Sequence, residues 1–311
     1  METVNVTNLV KRYDELMALD HFNLHIDQGE IFGLLGPNGS GKTTAINCIL
    51  GLLSYDKGDI CLFGEPMGPT RYDLKRRIGI VPQNVAVFDE LTVRENIDYF
   101  CGLYVPRKAD RVPLVDEAIR FVGLEDFTRM RPKKLSGGLL RRLNIACGIA
   151  HKPDLAFFDE PTVAVDPQSR AAILQGIKDM NAAGMTVVYT SHYMEEVEEL
   201  CDRIMIMDHG RTLGLGTNAE LKAMAGAGEK IEIELASLPA RALESLRALP
   251  HVREATFEGG TLHVTCENGE SNVADVLGVL RGARTRPGRI WAEPPTLNDV
   301  FLELTGRELR D

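Results

Sequence analysis

Ile31-Phe32-Gly33-Leu34-Leu35 runs directly into Gly36-Pro37-Asn38-Gly39-Ser40-Gly41-Lys42-Thr43-Thr44. The first five residues read as a short apolar strand, and Lys42 to Leu50 as a helix. The loop between them fits G-x-x-x-x-G-K-[ST] in the strand-to-helix context that its chemistry demands. Glycines let the backbone curl so that successive N–H groups point at one anion. The helix N-terminus adds its partial positive charge. Lys42 is expected to reach the β- and γ-phosphates of a nucleotide, and the Thr43 hydroxyl to bind Mg²⁺.

Working outward, strand-like and helix-like segments alternate over the first 220 or so residues. Phe22, Leu24 and Ile26 alternate with polar residues, as in a half-buried strand. Val93, Ile97, Phe100 and Tyr104 recur at helical spacing, and Leu139 to Ala150 reads as a helix ended before Pro153. Leu155–Phe158 and Met185–Thr190 read as strands, and Ala171 to Ala183 as a helix stopped at Gly184. This alternation predicts an α/β fold with a largely parallel sheet. Thr217 and Glu220 have capping-box spacing, and Ala225-Gly226-Ala227-Gly228 is the candidate linker. Beyond it the order strand, helix, hairpin around Gly259-Gly260, helix, strand, terminal helix resembles a small ferredoxin-like α+β domain. The expected division is therefore 1–225 and 229–311.

The chain has 311 residues, enough for about two domains. Its 35 Lys+Arg against 45 Asp+Glu give a net charge of −10, which disfavours general binding of nucleic-acid phosphates. No apolar run approaches the ~18 residues of a spanning helix, and the N-terminus shows no secretory signal pattern. A soluble cytoplasmic chain is expected. The six cysteines lie far apart in sequence and form no CxxC pair, so reduced, scattered core thiols are predicted.

Asp159 and Glu160 close the Leu155–Phe158 run. Carboxylates at the C-terminal end of a parallel strand face the crevice where ligands bind. Asp159 is the expected Mg²⁺ partner and Glu160 the general base for an attacking water.

Leu135-Ser136-Gly137-Gly138 lies just upstream, and with the motifs around it residues 1–225 resemble the ABC (ATP-binding cassette) ATPases. Six motifs stand in the family's order, which makes the resemblance far more specific than LSGG alone. It implies a P-loop cassette with a mixed sheet and a helical signature subdomain, hydrolysing ATP with Mg²⁺. Tyr13 matches the adenine-stacking aromatic, and Gln83 the Q-loop glutamine, a further metal ligand. Asp166 matches the D-loop aspartate and His192 the switch histidine. Glu160, His192, Gln83 and Lys42 are the implied catalytic set; Thr43, Gln83 and Asp159 are the metal set. In the family, two cassettes meet head to tail. Ser136, Gly137 and Gly138 would then complete a site on the other copy, with Asp166 linking the two.

Two departures stand out. Leu139 occupies the place where the family usually has glutamine, and the run continues Leu140-Arg141-Arg142; Ala164 replaces a glycine or small turn residue. The resemblance also implies a second cassette, expected to be another copy of this chain, and separate transmembrane permease subunits. Residues 84–104 are the expected docking segment, and the chain would lie on the inner face of the membrane. The tail, Leu297 to Arg307 after Pro294-Pro295, resembles cassettes of type-2 exporters. The alternatives are an importer ATPase, since some importers carry a ferredoxin-like tail, and a non-transport ABC protein.

Overall fold

The computed structural model describes residues 2–163, 165–224, 227–267 and 272–305. Ala164, Ala225 and Gly226 of the sequence reading, and the tail beyond Thr305, lie outside them. The chain divides into two compact units, with the boundary between Leu215 and Gly216.

The first unit is built on a six-stranded sheet. Its order is Arg211–Gly216, Arg203–Asp208, Ile31–Leu35, Thr186–Ser191, Leu155–Asp159, Ile78–Val81. The last five run parallel to their neighbours. All residues of Ile31–Leu35 and Thr186–Ser191 are buried, as are Leu155 to Phe158. Strands covered on both faces carry continuous apolar runs, which is why these segments do not alternate in sequence. A second, four-stranded sheet has the order Leu16–Asp27, Glu2–Tyr13, Lys57–Leu62, Glu65–Pro66. Phe22, Leu24 and Ile26 point inward from it, into a core shared with Phe32, Leu34, Ile46 and Phe157.

The expected helices are present with shifted ends. Lys42–Ile49 follows the glycine loop. Val93–Gly102 is closed at its start by a Thr92/Glu95 capping box and buries Val93 and Ile97. Tyr104 falls beyond that helix and stacks on His151 at 3.8 Å between ring centres. Gly137–Ile149 starts two residues earlier than read, because Ser136 caps it. Pro167–Ala182 starts four residues earlier, because Asp166 caps it and Pro167 suits the first helical position. Helices Val93–Gly102, Lys108–Phe121 and Gly137–Ile149 pack on one another, and the last also packs on strand Ile78–Val81.

In the second unit the sheet order is Val252–Glu258, Thr261–Glu267, Ala227–Leu235, Pro287–Glu293, with every pairing antiparallel. Ile231, Ile233, Leu246, Leu262, Val264, Val276 and Leu280 form its core. The order β-α-β-β-α-β matches the sequence reading. Two boundaries differ. Helix Asn218–Met224, headed by Thr217 and Glu220 as expected, packs on Leu297–Thr305 and the first strand, so it groups with the second unit. Gly228 is not linker: it lies in strand Ala227–Leu235, where a Cβ would come within 2.0 Å of the Cys266 carbonyl. The described chain holds six free cysteines; Cys48, Cys101, Cys147 and Cys266 are buried.

His151 sits under the sheet edge. Its Nε2 donates to the Ile78 carbonyl at 3.1 Å, while Nδ1 is buried without a partner. A proton on Nδ1 would have nowhere to donate, and burial lowers the pKa from 6.5 to about 4 against the opposing hydrogen bond. The native state therefore keeps this ring neutral where the unfolded chain protonates it. Stability is full above about pH 6.5 and declines as pH falls toward about 4. His151→Phe, which keeps a ring against Tyr104, is expected to flatten that decline in urea unfolding measured across the window. Parallel curves for the two proteins would reject His151 as its source.

Candidate active site

Four neighbouring parallel strands deliver the predicted residues. The C-terminal ends of Ile31–Leu35, Thr186–Ser191, Leu155–Asp159 and Ile78–Val81 lead to the glycine loop, His192, Asp159-Glu160 and Gln83 respectively. Neighbouring strands are about 4.8 Å apart, so four segments distant in sequence share one edge.

Gly39 and Gly41 have φ of 80° and 108°, which a Cβ would oppose. At Gly36 a Cβ would stand 2.4 Å from the Met207 carbonyl. The helix Lys42–Ile49 begins with no side-chain cap and no acidic residue in its first turn, so among the described residues no side chain takes up the N–H groups that a helix start leaves free. The Ser40 hydroxyl is buried without a partner. Lys42 is buried, and its ammonium donates to the carbonyls of Gly36 at 2.6 Å and Pro37 at 3.1 Å. Burial lowers its pKa, against the pull of Glu160 and Asp159. An orphaned hydroxyl, free N–H groups and a desolvated ammonium fit the phosphates of a nucleotide.

Thr43 Oγ1 lies 3.4 Å from Asp159 Oδ2, joining a hydroxyl and a carboxylate. Thr190 donates to Asp159 Oδ1 at 2.7 Å, and its hydroxyl accepts from Glu160 N at 3.0 Å. Glu160 has φ of 47°, a strained value for a non-glycine residue of the kind found at functional sites. The residue is 5% exposed. Gln83 Nε2 donates to Glu160 Oε2 at 2.8 Å, and His192 Nδ1 is 3.4 Å from the same oxygen. A carboxylate, an amide and an imidazole thus meet at one point.

Ser136, Gly137, Gly138 and Asp166 form a separate group. Ser136 Oγ accepts from Leu139 N at 3.3 Å, and Asp166 Oδ1 from Ser169 N at 2.9 Å. A Cβ on Gly138 would meet Ser169 Oγ at 2.8 Å and Asp166 Oδ2 at 3.1 Å, so glycine there has a local packing cause. Among the described residues this group makes no hydrogen bond to the loop of residues 36–44. Tyr13 ends strand Glu2–Tyr13, opposite Leu16, and is 45% exposed, with the Lys11 ammonium 5.1 Å from its ring centre.

Glu196 was not singled out from the sequence, where it stands among Glu195, Glu198 and Glu199 with no motif around it. It is 3% exposed. Its Oε2 accepts from Thr162 Oγ1 at 2.8 Å, Tyr189 OH at 2.7 Å and Ser191 Oγ at 2.9 Å. Its Oε1 lies 3.2 Å from Arg170 Nε, and the Arg170 guanidinium covers Tyr193, which leans on His192. One carboxylate therefore ties together the segment after Glu160, the strand before His192 and the helix capped by Asp166. Glu196→Ala would leave three hydroxyls without this acceptor and the Arg170 guanidinium without its ion-pair partner. Breaking a buried charged network costs about 3–5 kcal/mol, to be measured by denaturant unfolding. A loss below about 1 kcal/mol, the range of exposed pairs, would show that other contacts hold these segments.

Residues 19–163 match the family described as ABC transporter, and residues 216–305 match that described as ATP-binding protein DrrA1-3-like, C-terminal domain. The chain is 38% identical over 306 residues to the linearmycin resistance ATP-binding protein LnrL of Bacillus subtilis, covering 98% of each. It is 35% identical over 309 residues to the Nod factor export ATP-binding protein I of Burkholderia thailandensis, covering 99% of this chain and 98% of that one. Among solved structures, a bacterial ABC transporter cassette in dimeric form superposes with a TM-score of 0.64 at 28% identity, over 69% of this chain and 98% of that one. The post-hydrolysis state of the same cassette, bound to ADP and Pi, gives the same values. Sequence motifs, strand-edge geometry and full-length relatives agree: the chain belongs to the ATP-binding cassette family, as an ATP-binding, ATP-hydrolysing subunit of ABC transporters.

Proposed function

We propose that this ATPase drives an exporter: two identical copies meet head to tail and act on separate transmembrane permease subunits at the inner face of the cell membrane. The convergence of Lys42, Thr43, Gln83, Asp159, Glu160 and His192 on one sheet edge carries the reading. The linearmycin resistance and Nod factor export relatives support the outward direction. The unit that ends at Leu215 supplies the chemistry, and the unit that begins at Gly216 forms an accessory α+β domain. Among the described residues no helix is long and apolar enough to cross a membrane, in keeping with membrane spans held by other subunits.

In this reading the N–H groups from Gly36 to Thr44 and the Lys42 ammonium hold the β- and γ-phosphates, and Tyr13 stacks on adenine. Thr43, Asp159 and the side-chain oxygen of Gln83 would hold Mg²⁺, which would supply positive charge against the phosphates. Glu160 takes a proton from water as the water oxygen bonds to the γ-phosphorus. The bond from that phosphorus to the β–γ bridging oxygen breaks, and ADP departs with its electron pair. His192 stabilises the charge that spreads over the γ-phosphoryl oxygens. Ser136, Gly137 and Gly138 act on the nucleotide of the other copy, and Asp166 links the two sites. Loss of the γ-phosphate removes what bridges the copies, converting chemistry into motion.

The permease is received within residues 84–104. Phe88 and Tyr99 are 43% and 47% exposed and pack edge to face at 4.9 Å, with Leu103 58% exposed nearby in sequence. Val85 and Val87 are half-buried. An exposed aromatic group of this kind marks an interaction surface.

Glu160→Gln is expected to lower phosphate release by about 10²- to 10⁴-fold while ATP still binds, the usual range for loss of a general base. Substantial hydrolysis by the purified variant would refute the assignment. Lys42→Ala is expected to weaken ATP affinity by at least about tenfold, since a charge-assisted phosphate contact is lost. Unchanged affinity in a fluorescent-nucleotide titration would sink the phosphate role. Purification from native membranes in mild detergent tests the assembly. Co-purification of a polytopic membrane protein is expected; an added extracytoplasmic solute-binding protein would turn the reading to import.

A further inference from the structure

The basic pair Arg141-Arg142 after the signature glycines has no role in the scheme above. Arg141 is 8% exposed and Asn144 2% exposed, three residues apart on one face of helix Gly137–Ile149. Arg141 Nη1 donates to the Gln83 carbonyl at 2.6 Å and to the Pro82 carbonyl at 3.3 Å. Asn144 Nδ2 donates to the Pro82 carbonyl at 3.1 Å, and its Oδ1 accepts from Ala86 N at 3.0 Å. Two side chains of one helix thus hold the backbone on both sides of Gln83, while the Gln83 side chain reaches Glu160.

The same helix is fixed to the strand that leads into this loop. A Cβ on Gly148 would meet the Ile80 carbonyl at 2.4 Å, and one on Gly79 would meet the Gly148 carbonyl at 2.7 Å. Backbone approaches backbone at one end of the contact, and Arg141 and Asn144 grip the loop at the other. A guanidinium buried against carbonyl oxygens, with no ion pair among the described residues, is a costly way to fill space. Burial lowers its pKa, while the nearby Glu160 opposes that shift.

We infer that Arg141 and Asn144 are positioning residues that clamp the Gln83 loop to the Ser136-headed helix and so keep the Gln83 amide on Glu160. The inference rests on the roles given to Gln83, Glu160 and Ser136 in the proposed function. It adds that the group facing the other copy's nucleotide and the group facing the chain's own water are held in one rigid piece.

A double-mutant cycle isolates the effect. Arg141→Met is expected to lower kcat about tenfold, roughly what one charge-assisted hydrogen bond supplies. ATP affinity should stay within about twofold, since Arg141 touches no phosphate-binding group. In a Gln83→Ala background the same substitution should change kcat by less than about twofold, because its target is already gone. Arg141→Lys, which keeps the charge and N–H donors but not the planar guanidinium, should recover part of the loss. An equal loss in both backgrounds, or no loss in either, would overturn the inference. Should Arg141→Met fail to fold, Asn144→Leu runs through the same cycle. Hydrogen exchange at the Ala86 amide reads the clamp without catalysis, and it should accelerate in Asn144→Leu and in Arg141→Lys. Unchanged exchange in both would also overturn it. A wild-type chain that released no phosphate would count against the proposed function, and the exchange result would still decide the clamp.

Discussion

The parallel register that sets Asp159 beside Thr190 governs the rest of the site. The Thr190 hydroxyl reaches Asp159 on one side and the Glu160 N–H on the other. The Glu160 N–H also approaches the Thr190 carbonyl at 3.2 Å. These contacts hold Glu160 at a positive φ that its side chain does not favour. Neighbouring pairs extend the constraint: Leu35 with Ser191 and Val81 with Phe158. A slip of one residue would send every side chain of a strand to the opposite face. Such a slip would break the Asp159–Thr190 pairing on which the edge depends.

Besides Glu160, three charged groups close to that edge are buried, and each is satisfied differently. Lys42 rests on two carbonyls of its own loop. Those are neutral acceptors, so anionic phosphate oxygens can replace them with a gain in charge–charge energy. Glu196 accepts from three hydroxyls, with Arg170 beside its other oxygen. Its partners belong to the segments carrying Glu160, His192 and Asp166, so it resists any change in their spacing. Arg141 spends its charge on carbonyls of the Gln83 loop. An apolar side chain of similar size would avoid the desolvation cost in the last two places. What it could not supply is a directional bond to the neighbouring segments.

Strands Ile31–Leu35, Leu155–Asp159 and Thr186–Ser191 and the glycine loop were legible because each depends on a short contiguous pattern, whereas the parallel strands Ile78–Val81 and Arg203–Asp208 were not read. Nor was strand Glu2–Tyr13, since its pairing with Leu16–Asp27 shifts register at several points. Such irregularities break the period of two that a reader looks for. Helix Lys108–Phe121 was hidden by Pro113 and by a thin apolar stripe of Val115, Ala118 and Ile119. The nucleotide-edge residues were readable from motif spacing, yet their supports were not. Glu196 lies among surface-like acids, and Arg141 looks like a solvated cation. Their burial is decided by segments far away in sequence, which no local window contains.

Leu139 shows how one turn of helix can be strict at one position and permissive at the next. The family usually places glutamine there. In this chain the Ser136 cap engages the backbone N–H of residue 139, an atom any residue except proline supplies. The leucine side chain is half-buried and takes no part in the cap. Gly138 has no such freedom, because the Asp166 carboxylate and Ser169 hydroxyl occupy the space a Cβ would need. Asp166 is itself fixed, as it caps the helix Pro167–Ala182 through Ser169 N. The packing of one helix cap against another therefore dictates the second glycine and leaves the next side chain free to vary.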